Sequence, residues 1–116
     1  MDVKWENGVV TNVPIACTLT AEAVVDRLAE WSAAFSTLVE KVDFDGNHAT
    51  LTLHRGSEAL LTIADLAQRE KACCPFFQFS IELEGIDMFL HVEVPHEADQ
   101  ILTELLALLP PNLRPH

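Results

Sequence analysis

The stretch Val42-Asp43-Phe44-Asp45-Gly46-Asn47-His48-Ala49-Thr50-Leu51-Thr52-Leu53 alternates apolar and polar side chains on both sides of a turn sequence. Successive side chains of a strand point to opposite faces. Val42 and Phe44 therefore share one face, and Ala49, Leu51 and Leu53 share the matching face of a returning strand. Thr50, Thr52 and His54 project the other way, so one face is wet and one is buried. Asp45-Gly46-Asn47 is turn chemistry, and Asp45-Gly46 is the local hairpin signal. A later stretch repeats the pattern. Phe77, Phe79, Ile81 and Leu83 alternate with Gln78, Ser80 and Glu82, Gly85 lies in the turn, and Met88, Leu90, Val92 and Val94 return on the apolar side. Two such hairpins predict a four-stranded antiparallel sheet.

Helical periodicity surrounds them. A first helix is predicted from about Ala21 to Thr37, with Thr20 as N-cap and Glu22 in the first turn. Val24, Leu28, Trp31, Phe35 and Leu38 fall on one face, where Trp31 and Phe35 read as core. Arg55-Gly56-Ser57 breaks the strand; Ser57 is the expected cap of a second helix, with Glu58 in its first turn. Leu60, Ile63, Leu66, Ala67 and Cys74 share or flank one face of it. Pro75 disfavours helical geometry at Cys74, which ends this helix at the cysteine pair. A third helix is expected from about Glu97 to Leu108, with Ala98, Ile101, Leu102, Leu105 and Leu108 inward. The order is helix-hairpin-helix-hairpin-helix. The simplest solution is an α+β fold in which three helices cover one face of a four-stranded antiparallel sheet. The two hairpin-helix units have similar lengths, as in a weak internal duplication. The other face, carrying Thr50, Thr52, His54, Gln78, Ser80 and His91, is either solvated or covered by a second subunit. Residues 1–13 read as an N-terminal lead-in, where Asn7-Gly8 suits either a small hairpin or a flexible start. Residues 14–109 read as a single domain and 110–116 as a C-terminal tail.

Composition bounds the function. The 116 residues are 49% hydrophobic and 22% charged, which suits one globular domain with a core that needs no disulfide staples. Four Gly and six Pro exclude collagen-like and low-complexity classes. No apolar run approaches the roughly 18 residues of a membrane span. A net charge of -11 repels phosphate backbones and anionic lipid, so neither nucleic acid nor membrane is an expected partner. The start, Met1-Asp2-Val3-Lys4-Trp5-Glu6-Asn7-Gly8, lacks the basic and apolar pattern of a signal peptide. Three cysteines, two of them adjacent, do not make a secreted disulfide framework. A reducing cytoplasm is the expected location.

The chemistry-bearing residues are few. There is no phosphate-binding glycine loop, no dinucleotide fingerprint, no nucleophile elbow and no paired CxxC. What remains is Glu70-Lys71-Ala72-Cys73-Cys74-Pro75-Phe76-Phe77, with Cys17 in Pro14-Ile15-Ala16-Cys17-Thr18-Leu19-Thr20. Glu70 precedes the two cysteines by three and four residues, which places it near both thiols. A helix C-terminus is partly negative and Glu70 adds to it, whereas nucleophilic cysteines usually sit at helix N-termini or beside cations. Arg69 and Lys71 are expected to point elsewhere. A resting thiolate nucleophile is thus disfavoured. A soft cation reverses the argument, because it supplies the positive charge and deprotonates the thiols. Thiolates select Cu(I) and Zn, and by the same softness Hg(II) and As(III). His48, His96 and His116 read as surface residues. His54 and His91 become candidate ligands or bases only if the polar sheet face is a cavity.

The Pro14–Thr20 motif, the Glu70-x-x-Cys73-Cys74-Pro75-Phe76 helix end and the hairpin that follows resemble a family of small uncharacterised bacterial proteins. The resemblance spans residues from Pro14 to about Leu109 and implies a shared cysteine site.

Three functions follow from these residues. The first is binding of a soft metal or metalloid ion by Cys73 and Cys74, with Cys17 as a third thiol, for sequestration, delivery or sensing. The second is a small enzyme in which Glu70 is the acid, protonating a metal–carbon bond. The arrangement follows the logic of organomercurial lyase without its surrounding sequence. A redox variant cycles Cys73 and Cys74 through a strained vicinal disulfide with Cys17 resolving. The third is an interaction module, a homodimer in which the cysteines are packing. A homodimer is expected in the first case too.

Overall fold

The computed structural model describes residues 21–114. The Asn7-Gly8 turn, Cys17, the Thr20 cap and His116 lie outside the described residues. Three helices and a four-stranded antiparallel sheet form the expected α+β arrangement: α1 (Ala21–Leu38), β1 (Val39–Asp45), β2 (His48–Leu53), α2 (Ser57–Cys73), β3 (Gln78–Glu84), β4 (Asp87–Glu93) and α3 (Asp99–Leu106). The two hairpins close through the two-residue turns Gly46-Asn47 and Gly85-Ile86.

The strand order is β1-β2-β4-β3, with every neighbouring pair antiparallel. The two hairpins meet along their second strands, where Ala49 faces Val92, Leu51 faces Leu90 and Leu53 faces Met88. All six side chains are buried and form the floor of the core. Because β2 and β3 both run antiparallel to β4, they point the same way with β4 between them. The chain through α2 therefore passes over β4 and delivers the end of α2 to the outer strand β3. Asn47 ties the hairpins together: its Nδ2 donates to the Val94 carbonyl at 2.7 Å, and the Val94 N–H donates to the Asn47 carbonyl at 3.0 Å.

The helices lie on the buried face. Trp31, Ala34 and Phe35 of α1, Ala59, Ile63, Leu66 and Ala67 of α2, and Leu102, Leu105 and Leu106 of α3 close the core above the sheet. The alternation fails as a burial rule on the outer strands. Phe44 of β1 is 36% exposed and Leu83 of β3 is 63% exposed, because an edge strand reaches past the helices that cover the centre.

Two local expectations are corrected. Ser57 is the first residue of α2 and not its cap. Gly56 holds that position at φ 132°, ψ 152°, and no side chain caps the helix. Leaving β2 and entering α2 needs a backbone turn that only glycine adopts without strain. The third helical segment is also split. A 3-10 turn over His96–Ala98 precedes α3, and Pro95 in extended geometry sets its start. Beyond α3, Leu109 is fully buried, and Leu113 packs against the core within a second 3-10 turn, Pro111–Leu113. No helix among the described residues is long and apolar enough to cross a membrane.

Candidate metal centre

The end of α2 and the middle of α1 build the site together. Pro75 lacks an N–H and disfavours helical geometry before it, so α2 stops at Cys73. Cys74 leaves the helix at φ -129°, ψ 75°, while its N–H still donates to the Glu70 carbonyl at 2.7 Å. This bend turns two neighbouring side chains inward. Cys73 is 7% exposed and Cys74 fully buried, with their sulfurs 3.8 Å apart. The following segment is anchored by aromatic stacking of Phe76 on Phe77, Phe77 on Phe79 and Phe79 on Trp31. Lys71 locks the same turn from outside, its Nζ donating to the carbonyls of Pro75 at 2.7 Å and Phe77 at 2.9 Å. Burial holds the Lys71 amine below its ordinary pKa.

Glu70 is a buried carboxyl in an otherwise apolar core. Its Oε1 accepts from Trp31 Nε1 at 2.9 Å and from Arg27 Nη1 at 3.2 Å. Arg27 Nη1 also donates to Cys73 Sγ at 3.4 Å. Arg27 and Trp31 lie one helical turn apart on α1, so a single helix face supplies both donors. Burial would lower the Arg27 pKa, but its hydrogen bonds to Cys73 and Glu70 prevail and raise it above the ordinary guanidinium value. Glu70, Cys73 and Cys74 each offer one ligand atom, and these atoms lie within 4.8 Å of one another. Together they form a cluster that could hold a metal ion. Cys73 is a free thiol, and Cys74 is disulfide-bonded in this structure. The Cys73 thiol donates back to the carbonyl of Arg69 at 3.4 Å.

The neighbouring cations behave as the sequence reading expects. Arg69 points to solvent and clamps α2 to α1, donating to both oxygens of Glu30 at 3.0 Å and to Asp65 at 2.9 and 3.1 Å. The Arg69 guanidinium holds the Glu30 carboxyl below its ordinary pKa.

Glu70, Cys73 and Cys74 are thus brought together, while Cys17 lies outside the described residues. Sequence reasoning missed Arg27. The positive charge that a helix C-terminus lacks arrives from another helix, 46 residues away in the chain. Its sole sequence signal is the four-residue spacing to Trp31. Trp31 is core, as its helical spacing implies, and its indole N–H has a second use as a donor to Glu70. Among the described residues, no histidine joins the cluster. His91 pairs with Glu82 at 2.7 Å and with Thr50 Oγ1 at 3.1 Å, and His54 pairs with Glu40 at 2.8 Å. His91 alternates with the buried Leu90 and Val92, which puts it on the sheet face away from the helices. Comparisons with protein-family models, with curated proteins and with solved structures find no match to this chain.

Proposed function

We propose that the reduced protein binds one thiophilic metal or metalloid ion through Cys73 and Cys74, with Glu70 beside the pair and Cys17 as a third thiol. The carrying observation is the buried Glu70–Cys73–Cys74 cluster, with all three ligand atoms within 4.8 Å. Deprotonated thiols are soft ligands that select Hg(II), Cu(I), As(III) or Zn over hard cations. The charges favour a subset of these. Arg27 offsets Glu70, so two thiolates leave two negative charges for the cargo to balance. A divalent ion, or a metalloid centre with two exchangeable ligands, matches that count. The role is sequestration or delivery in a reducing cytoplasm.

The test uses the full chain, reduced and desalted anaerobically, then titrated with Zn(II), Cu(I), Hg(II) and As(III). Intact mass and free-thiol counts are read together. One ion per chain is expected, protecting Cys73 and Cys74, and protecting Cys17 as well if it joins them. Cys73→Ser is expected to abolish the adduct while keeping the fold, since a serine hydroxyl can make the same bond to the Arg69 carbonyl. Unprotected thiols with all four ions, or unaltered binding by Cys73→Ser, would overturn the reading.

The sulfur geometry favours a second reading, thiol–disulfide exchange. The Cys73 sulfur lies 3.8 Å from the Cys74 sulfur, which is itself in a disulfide. Attack by the Cys73 thiolate would form a Cys73–Cys74 disulfide and release the former partner sulfur as a thiolate, without net oxidation. Mass mapping of the alkylated, oxidised protein separates this from ion binding.

A further inference from the structure

The two outer strands differ in how their free edges are guarded. β1 has a register break between Val39 and Lys41 and carries Glu40, Lys41, Asp43 and Asp45. The 3-10 turn Pro111–Leu113 also lies against it. Bulges, charges and covering segments are what keep an edge strand from pairing with another chain. β3 pairs with β4 in unbroken register from Gln78 to Glu84, and its Leu83 is 63% exposed. Its two charges, Glu82 and Glu84, lie on the face away from the helices. The two-residue turn makes Glu84 and Asp87 a hydrogen-bonded pair, and such pairs alternate along an antiparallel ladder. Glu84, Glu82, Ser80 and Gln78 therefore bond to β4, while Phe79, Ile81 and Leu83 turn their N–H and C=O groups to the outer edge. Among the described residues no further strand pairs there. Along the edge runs a groove of about 510 Å³, walled by Ala64, Ala67 and Lys71 of α2 and by Phe79 and Ile81.

We propose that this edge pairs with β3 of a second copy of the chain, antiparallel about Ile81, joining two sheets into one. The sequence of β3 complements itself in that register. Ile81 faces Ile81 and Phe79 faces Leu83, so apolar side chains meet on the helix side, and each pair exchanges both of its N–H···O bonds. Glu84 faces Gln78, whose amide can donate to it, and Glu82 faces Ser80. No like charges are opposed, and Glu82 already pairs with His91 at 2.7 Å. A slip of two residues toward the turn would set Glu82 against Glu82. Leu83 of the second copy, beside Phe79, enters the groove, and the two-fold axis repeats the contact. Side chain and groove belong to one surface, as a closed isologous dimer requires.

The test is sedimentation equilibrium of the full chain, kept reduced so that intermolecular disulfides cannot mimic a dimer. The wild type is expected to dimerise, and Leu83→Lys to raise the dissociation constant by about 100-fold or more. Lysine reduces the net charge of -11, so net repulsion cannot account for that loss. Phe44→Lys, the same change on the β1 edge, is expected to stay within about threefold of wild type, and thermal unfolding verifies the fold of both variants. In the wild-type dimer the Phe79, Ile81 and Leu83 amides are expected to exchange at least about 10-fold more slowly than in the Leu83→Lys monomer. A wild type still monomeric at about 1 mM would overturn the proposal and leave the edge to a different chain. A dimer that survives Leu83→Lys, dissociates with Phe44→Lys, or leaves those three amides unprotected would overturn it as well.

Discussion

Replacing Arg27 with methionine removes the guanidinium and keeps most of the aliphatic bulk. The carboxyl it leaves behind is poorly placed to recover solvent, because the Glu70 side chain is 9% exposed and that of Arg27 only 14%. Breaking a fully buried ion pair by removing one partner costs about 3–5 kcal/mol, whereas exposed pairs contribute about 0–1 kcal/mol. Glu70 keeps one donor, Trp31 Nε1 at 2.9 Å, which moderates the loss. The expected cost is therefore about 2–4 kcal/mol, a fall in Tm of roughly 8–16 °C for a domain of this size. Glu70→Gln retains an acceptor for the indole and loses only the charge, so about 1–2 kcal/mol is expected. The two changes act on one contact, and the double variant is expected to fall short of the sum by about 1–2 kcal/mol. Urea unfolding of the reduced wild type, both single variants and the double variant measures all four corners of the cycle. An Arg27→Met protein within about 0.5 kcal/mol of wild type, or strict additivity, would refute a buried, coupled pair.

Two more outcomes are expected from the same structure. Gly56→Ala places a Cβ at φ 132°, where nothing lies within 4 Å but the backbone conformation is strained for an L residue. A loss of about 1–3 kcal/mol in urea unfolding is expected, and a loss below about 0.3 kcal/mol would show that the α2 entry relaxes freely. Glu30 has a lowered carboxyl pKa because Arg69 donates to it, so it contributes stability above its unfolded value near 4.5, and that contribution disappears as pH falls through the folded value. Its side chain is 43% exposed, which limits Glu30→Gln to about 0.5–1 kcal/mol at pH 7. The difference from wild type should narrow as pH falls below 4.5. An equal difference at pH 7 and pH 3 would exclude the charge on Glu30 as its source.

Periodicity alone determines most of the secondary structure here. The alternation in Val42–Leu53 and Phe77–Val94 encodes two hairpins because side-chain direction in a strand is a local property. The 3.6-residue pattern of α1 and the Cys74-Pro75 stop of α2 are likewise local, and so is the approach of Glu70 to the cysteines, three and four residues away on the same helix. Strand order is not local. Only the passage of α2 over β4 makes β2 and β4 the central pair and leaves Phe44 and Leu83 exposed at the edges. The backbone cap at Gly56 also escapes a reading that looks for a serine hydroxyl, since the path between β2 and α2 demands positive φ. The charge balance of the cluster lies furthest from sequence reasoning. Arg27 on an acidic helix has no local mark of function, and it reaches Glu70 and Cys73 only because α1 and α2 pack side by side above the same sheet.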